Sequence, residues 1–89
     1  MDTFAQYRLT DYSFIEKYQK RMGIENFRKY RDDVYRYLAK MKVGEKFSIE
    51  ARVKEENFDI FIKIVCAYIL SGNYNYEFTG DYKHVKRNA

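Results

Sequence analysis

The 89-residue sequence predicts a single small α+β domain, and three of its features indicate this class. Apolar residues recur at helical spacing in two segments of the N-terminal half. A third segment, residues 55–70, is apolar around most of a helical circumference, which is typical of a helix surrounded by protein. Alternating apolar and polar residues near the C-terminus predict a β-hairpin. We expect residues 1–24 to form an N-terminal helical extension and residues 25–89 to form the core of the domain.

The first predicted helix covers residues 13–22. Ser13 and Glu16 have the S-x-x-E spacing of a capping box, in which the two side chains satisfy backbone N–H groups at the start of a helix. Gly23 comes directly after the apolar periodicity, where a glycine commonly ends a helix. These residues predict a short helix with a defined start and end.

The second predicted helix, residues 26–42, has the clearest helical pattern. Its apolar residues are spaced three or four positions apart, with one addition that widens the stripe: Phe27, Tyr30, Val34, Tyr37, Leu38 and Met41. Oppositely charged residues four positions apart, such as Arg28 and Asp32, lie on the other side of this helix. The pattern predicts an amphipathic helix with a salt-bridged outer face.

A short strand is expected next, over residues 46–50, because Phe47 and Ile49 alternate with polar neighbours. Residues 51–56 are strongly charged and fit either one helical turn or a loop. The apolar helix of residues 55–70 follows them.

The C-terminal hairpin is predicted around Gly80 and Asp81, because a leading glycine suits a two-residue type II′ turn. That turn sets the pairs Thr79 with Tyr82, Phe78 with Lys83, Glu77 with His84, and Tyr76 with Val85. The register directs four side chains toward the core: Tyr74, Tyr76, Phe78 and Val85. It directs three side chains to the outer face: Tyr82, His84 and Lys86.

From residue 26 onward the order is helix, short strand, helical region, long helix and hairpin. The segments that set this order are residues 30–41, 46–49, 57–70, and 74–78 with 82–87. In this order the chain resembles the winged-helix variant of the helix-turn-helix. The resemblance implies a small winged-helix-like domain, in which the short strand joins the hairpin in one antiparallel sheet. It also implies DNA binding, with the hairpin as the wing.

Basic residues favour a nucleic-acid-binding wing. The chain has a net charge of +4, and one group of candidate contact residues lies at the predicted wing: Tyr82, Lys83, His84, Lys86 and Arg87. Arg52 and Lys54, near the turn from strand to helix, are further candidates. The long helix instead opens with Glu55, Glu56 and Asp59, which phosphates would repel. The same wing residues also suit a solvated edge strand, where charged side chains prevent unwanted pairing.

The ten tyrosines support a second hypothesis, a protein-interaction module or homodimer that does not bind nucleic acid. Tyr7, Tyr12 and Tyr35 do not fit the apolar stripes, and exposed tyrosines are enriched at protein interfaces.

Other functions have no support in the sequence. Cys66 lies within an apolar segment without basic neighbours that would activate it, and a single cysteine excludes an internal disulfide. One histidine, His84, without a nearby cluster of ligands does not make a metal site. No catalytic or phosphate-binding motif is present, and no apolar segment is long enough to span a bilayer. We therefore expect a cytoplasmic protein that is not an enzyme and needs no cofactor, metal or membrane.

Overall fold

The computed structural model describes the backbone of residues 12–89 and the side chains from residue 16 onward. This part of the chain forms an α+β fold with a C-terminal β-hairpin, as the sequence predicts. Its helices are α1 (Tyr12–Met22), α2 (Ile24–Lys40), the single turn α3 (Ile49–Arg52) and α4 (Phe58–Leu70), and a 3-10 turn (Glu55–Asn57) leads into α4. Its strands are β1 (Lys46–Ser48), β2 (Tyr76–Thr79) and β3 (His84–Arg87).

Helices α1 and α2 are joined by one residue, Gly23. Its φ of 86° lies in the left-handed region, where a side chain would be strained. The Gly23 carbonyl already accepts a hydrogen bond of 2.9 Å from the backbone N–H of Phe27. Helix α2 therefore begins at Ile24, earlier than predicted. It also ends earlier, because Met41 leaves the helical conformation (ψ 138°) and buries its side chain in the core.

Helix α4 lies at the centre of the molecule, as its apolar sequence predicts. Ile60, Val65 and Cys66 are each 0% exposed. The segment before it adopts the helical alternative for part of its length, because Ser48 caps α3 by accepting a hydrogen bond of 3.2 Å from the backbone N–H of Ala51. The predicted strand 46–50 therefore ends at Ser48.

The three strands form an antiparallel sheet in the order β1-β3-β2, so the last strand in the sequence is the central one. Phe47, Val85 and Phe78 form one row across the sheet and face the helices. Val85 is completely buried, and the ring of Phe47 stacks on that of Phe61 in α4 with 5.4 Å between the centroids. We call this side the inner sheet face.

The predicted register of the hairpin is wrong by two residues. Phe78 pairs with Val85, not with Lys83, and the loop is residues 80–83. Gly80, Asp81 and Tyr82 all have positive φ, so the turn is longer than the two-residue turn that Gly80 and Asp81 suggest. For the strand residues Phe78, Val85, His84 and Lys86, the shift preserves which side chains share a face, because side chains alternate with a period of two. Tyr82, predicted on the outer face, lies in the loop and packs against Phe78. Because β3 is the central strand, Val85 lies between two apolar partners, Phe47 and Phe78.

Tyr74 was predicted in the core, and this prediction is wrong. Its side chain is 72% exposed, because β2 begins only at Tyr76 and the preceding residues form a turn. The backbone carbonyl of Asn73 accepts a hydrogen bond from the N–H of Tyr76 at 3.3 Å, which closes that turn.

Candidate nucleic-acid interface

The side of the sheet that points away from the helices carries two of the five predicted wing residues, His84 and Lys86. Its two rows are Lys46–Lys86–Glu77 and Ser48–His84–Thr79, and we call these six residues the outer sheet face. Lys46 and Lys86 are direct cross-strand partners. Like charges directly opposite each other destabilise a sheet. Glu77, opposite Lys86 on its other side, offsets part of this repulsion, and a bound anion near Lys46 would relieve the rest.

The hairpin loop, residues 80–83, carries a further lysine, Lys83, on the side that faces α3 and α4. The backbone carbonyl of Lys83 accepts a hydrogen bond of 2.8 Å from the N–H of Ile49, which ties the end of the loop to the start of α3. The Lys83 side chain is exposed. A β-carbon at Gly80 would lie 3.3 Å from Nδ1 of His84, so the imidazole packs closely against the loop. His84 and Lys86 therefore share the outer sheet face with Lys46, whereas Lys83 lies toward α3 and α4.

Arg87, another predicted contact residue, is bound within the protein. Its guanidinium donates hydrogen bonds to the carbonyl oxygens of Met41 and Ala89, the second at 3.0 Å. It also lies 5.8 Å from the ring centroid of Tyr76, its cross-strand partner. The side chain of Arg87 thus satisfies a carbonyl at the end of α2. Arg87 and its partner Tyr76 form a row on the inner sheet face.

Tyr82 is also directed into the protein. Its ring packs on Phe78 with 4.8 Å between the centroids, and its hydroxyl oxygen is buried. Its φ of 68° is unusual for a large side chain. The position favours packing under the wing over stacking on a nucleic-acid base.

Arg52 and Lys54 lie on the other side of β1. The guanidinium of Arg52 lies 5.3 Å from the ring centroid of Phe47, which belongs to the inner sheet face, and Arg52 donates a 3.4 Å hydrogen bond to Oη of Tyr37. Both basic residues line a groove between α2 and the start of α4. The structure therefore separates them from the lysines of the outer sheet face.

The acidic start of α4 contacts α1 through Asp59, whose side chain remains partly exposed. The hydroxyl of Tyr18 donates a 2.8 Å hydrogen bond to Oδ2 of Asp59, and Arg21 forms a salt bridge of 3.3 Å with Oδ1. Partial burial acts to raise the pKa of Asp59, but these hydrogen bonds outweigh it and hold the pKa below its usual value. Burial, followed by the bond to Asp59, raises the pKa of Tyr18 to about 12. This end of α4 is engaged with α1.

Of the tyrosines predicted at a protein interface, Tyr35 is half-buried. Its ring meets that of Tyr68 edge to face at 5.1 Å, and Tyr68 meets Tyr76 in the same way at 5.2 Å. Burial raises the pKa of Tyr35. Tyr7 and the side chain of Tyr12 lie outside the described residues.

Lys46 is not among the contact residues that the sequence predicts. The alternation in β1 could have placed Lys46 opposite the core, but its pairing with Lys86 depends on which strand lies beside β1. Tyr37 was placed in the core stripe; it is 38% exposed at the rim of the groove.

Among the described residues, the one cysteine, Cys66, is a buried free thiol. Burial raises the pKa of the Cys66 thiol to about 12, so this sulfur is not a thiolate at neutral pH. Residues 12–89 contain no group of three or more His, Cys, Asp or Glu side chains that could hold a metal ion. None of the helices in this range has the length and apolar character needed to cross a bilayer. Comparisons of the chain with protein-family models, curated proteins and solved structures found no match.

Proposed function

We propose that this protein is a winged-helix-like domain that binds DNA through the phosphate backbone, using its outer sheet face. The observation that carries the proposal is the cross-strand pair of Lys46 and Lys86, with His84 on the same face. A phosphate placed between the two ammonium groups would turn a repulsive pair into a favourable site.

The order of the elements supports this proposal. Helix α2, strand β1, helices α3 and α4, and the β2–β3 hairpin follow one another as they do in a winged helix, and β1 pairs with β3. The hairpin has the position of the wing. Helix α3 is a single turn, so the region between β1 and α4 is shorter than is usual in that family.

The mode of binding follows from what surrounds α4. A recognition helix presents polar residues from its first turns to the bases. Here Asp59 is held by Tyr18 and Arg21, and Ile60 and Phe61 are buried. We therefore propose contacts to phosphates by the wing, with little direct reading of base sequence.

The test is titration of a random-sequence DNA duplex by fluorescence polarisation at roughly 50 and 200 mM salt. About three phosphate contacts predict a loss of affinity on the order of tens of fold across that range, because each contact releases condensed counterions. A Lys46→Glu/Lys86→Glu double variant should lose binding at both salt concentrations.

The matched control is Lys29→Glu/Lys40→Glu, which makes the same change in net charge on exposed residues of α2. It should retain most of the affinity. Equal losses in the two double variants would show that only net charge matters. Absence of duplex binding at the lower salt concentration would contradict the proposal.

A further inference from the structure

A groove opens on the side of the molecule away from the outer sheet face. It lies between α2, α3 and the start of α4, and its volume is about 460 Å³, within the range of sites that bind small organic groups. Its floor is formed by buried apolar side chains: Val34, Leu38, Phe47 and Phe61. Its rim includes polar and aromatic residues: Tyr30, Tyr37, Arg52, Lys54 and Asn57. We call this site the aromatic groove.

The position of Arg52 on this rim is fixed by two rings. Its guanidinium lies 5.3 Å from the centroid of Phe47 and 5.9 Å from that of Tyr37. Within residues 12–89, its side chain makes one hydrogen bond, to Oη of Tyr37, and no salt bridge. A guanidinium has five N–H donors in a planar fork that matches a carboxylate. Arg52 is thus held in place with donors left for an incoming acid.

The remaining charges of the groove favour the same kind of occupant. Lys54 is exposed and takes part in no salt bridge within the described residues. The one carboxylate on the described lining, Asp33, already pairs with Arg36 at 3.4 Å. The rim is therefore positive above an apolar floor. An occupant with complementary chemistry has a negative group beside an apolar or aromatic one.

We propose that the aromatic groove binds an acidic peptide segment of a partner protein. A large apolar side chain of the peptide enters between Tyr37 and Phe61, and a neighbouring carboxylate pairs with Arg52. A peptide fits better than a nucleic acid, because the floor is apolar and offers no donors to base edges. This site is separate from the one proposed for DNA, since β1 lies between them.

The experiment is selection from a displayed library of short random peptides, followed by titration of the enriched synthetic peptides. Enriched sequences should place Asp or Glu next to Phe, Trp or Leu. Arg52→Glu should weaken their binding about ten- to hundredfold, the effect of losing a hydrogen-bonded ion pair. Lys54→Glu should weaken peptide binding less, because Lys54 contacts neither ring. On peptide addition, amide signals of Arg52 and Asn57 should shift, and that of Lys86 should not.

The matched control is Lys86→Glu on the outer sheet face, which should leave peptide affinity unchanged. Arg52→Glu, in turn, should leave duplex affinity unchanged, so failure of either proposal is distinguishable from failure of the other. No enriched peptide, enrichment of basic or neutral peptides, or equal binding by Arg52→Glu would overturn the proposal. Binding of a short single-stranded oligonucleotide that Arg52→Glu abolishes would also overturn it, because the occupant would then be a nucleic acid.

Discussion

The two faces of the small sheet are made by alternate residues of the same strands, yet they have opposite characters. On the inner face, Val85 is 0% exposed and lies between its apolar cross-strand partners, Phe47 and Phe78. On the outer face, Lys86 lies between Lys46 and Glu77 and contributes no apolar side chain to the core. The stability of the fold and the proposed binding of an anion therefore depend on neighbouring residues, and substitutions at adjacent positions should have different effects.

The largest expected difference is between Val85 and Lys86. Val85→Asp places a carboxylate at the centre of the core, and the cost of several kcal/mol is comparable to the whole stability of a small domain. We expect circular dichroism to show no cooperative thermal transition for this variant. Lys86→Thr should melt within a few degrees of the native protein. A well-folded Val85→Asp variant would contradict the assignment of Val85 to the core.

Arg87 gives a second test of the comparison, because it is a basic residue of β3 whose side chain lies on the inner face. Arg87→Ala removes the donor to the Met41 carbonyl and should lower the free energy of unfolding by about 1–2 kcal/mol in urea denaturation. Lys83→Ala should change it by less than about 0.5 kcal/mol, because its side chain is exposed. If Arg87→Ala were as stable as the native protein and lost only DNA affinity, Arg87 would be a contact residue as the sequence predicted.

Tyr76, on the same row as Arg87, donates its hydroxyl hydrogen to the carbonyl of Leu38 in α2. Tyr76→Phe should cost about 1 kcal/mol, since a buried carbonyl loses its side-chain donor. Tyr74→Phe is the matched change at a side chain that is 72% exposed, and it should have no measurable effect on the urea midpoint. Equal effects at the two positions would argue against this bond.

The core beneath the inner face also has a dependence on pH. The pKa of Tyr18 is raised to about 12 in the folded protein, first by burial and then by the bond to Asp59. Because the folded pKa is above the unfolded one, the stability that this group contributes is present below about pH 10 and is lost as pH rises toward 12. Tyr18→Phe should flatten the fall in urea midpoint between about pH 10 and 12, relative to the native protein. An unchanged slope would exclude Tyr18 as the source.

The smallest effect is expected in the hairpin loop, residues 80–83, which joins β2 to β3. Asp81 has a φ of 55°, which glycine adopts with less strain. Asp81→Gly should raise the free energy of unfolding by about 0.5 kcal/mol. Asp81→Ala removes the same charge without relieving the backbone, so it should give no gain. A gain in both variants would assign the effect to charge.

The sequence was informative about faces and uninformative about partners. Alternation placed Phe78 and Val85 on one side and Lys86 on the other, and this survived an error of two residues in register because the period is two. The length of the loop was not predictable, since nothing in the local sequence indicates positive φ at Tyr82. The position of Lys46 beside Lys86, and that of Arg87 against Met41, depend on contacts between distant segments. Local patterns do not specify such contacts.

The central place of β3 in the sheet has a consequence for synthesis of the protein. Its partner β1 leaves the ribosome first, and Val85 is made only after everything between it and Phe47. At about 5–20 residues per second, that interval is roughly two to eight seconds. Throughout it, β1 has no strand beside it, and β2, once it is made, has none until β3 follows. The exposed strand edges are then open to other chains or to a chaperone. The nascent domain is thus most vulnerable to aggregation just before β3 emerges.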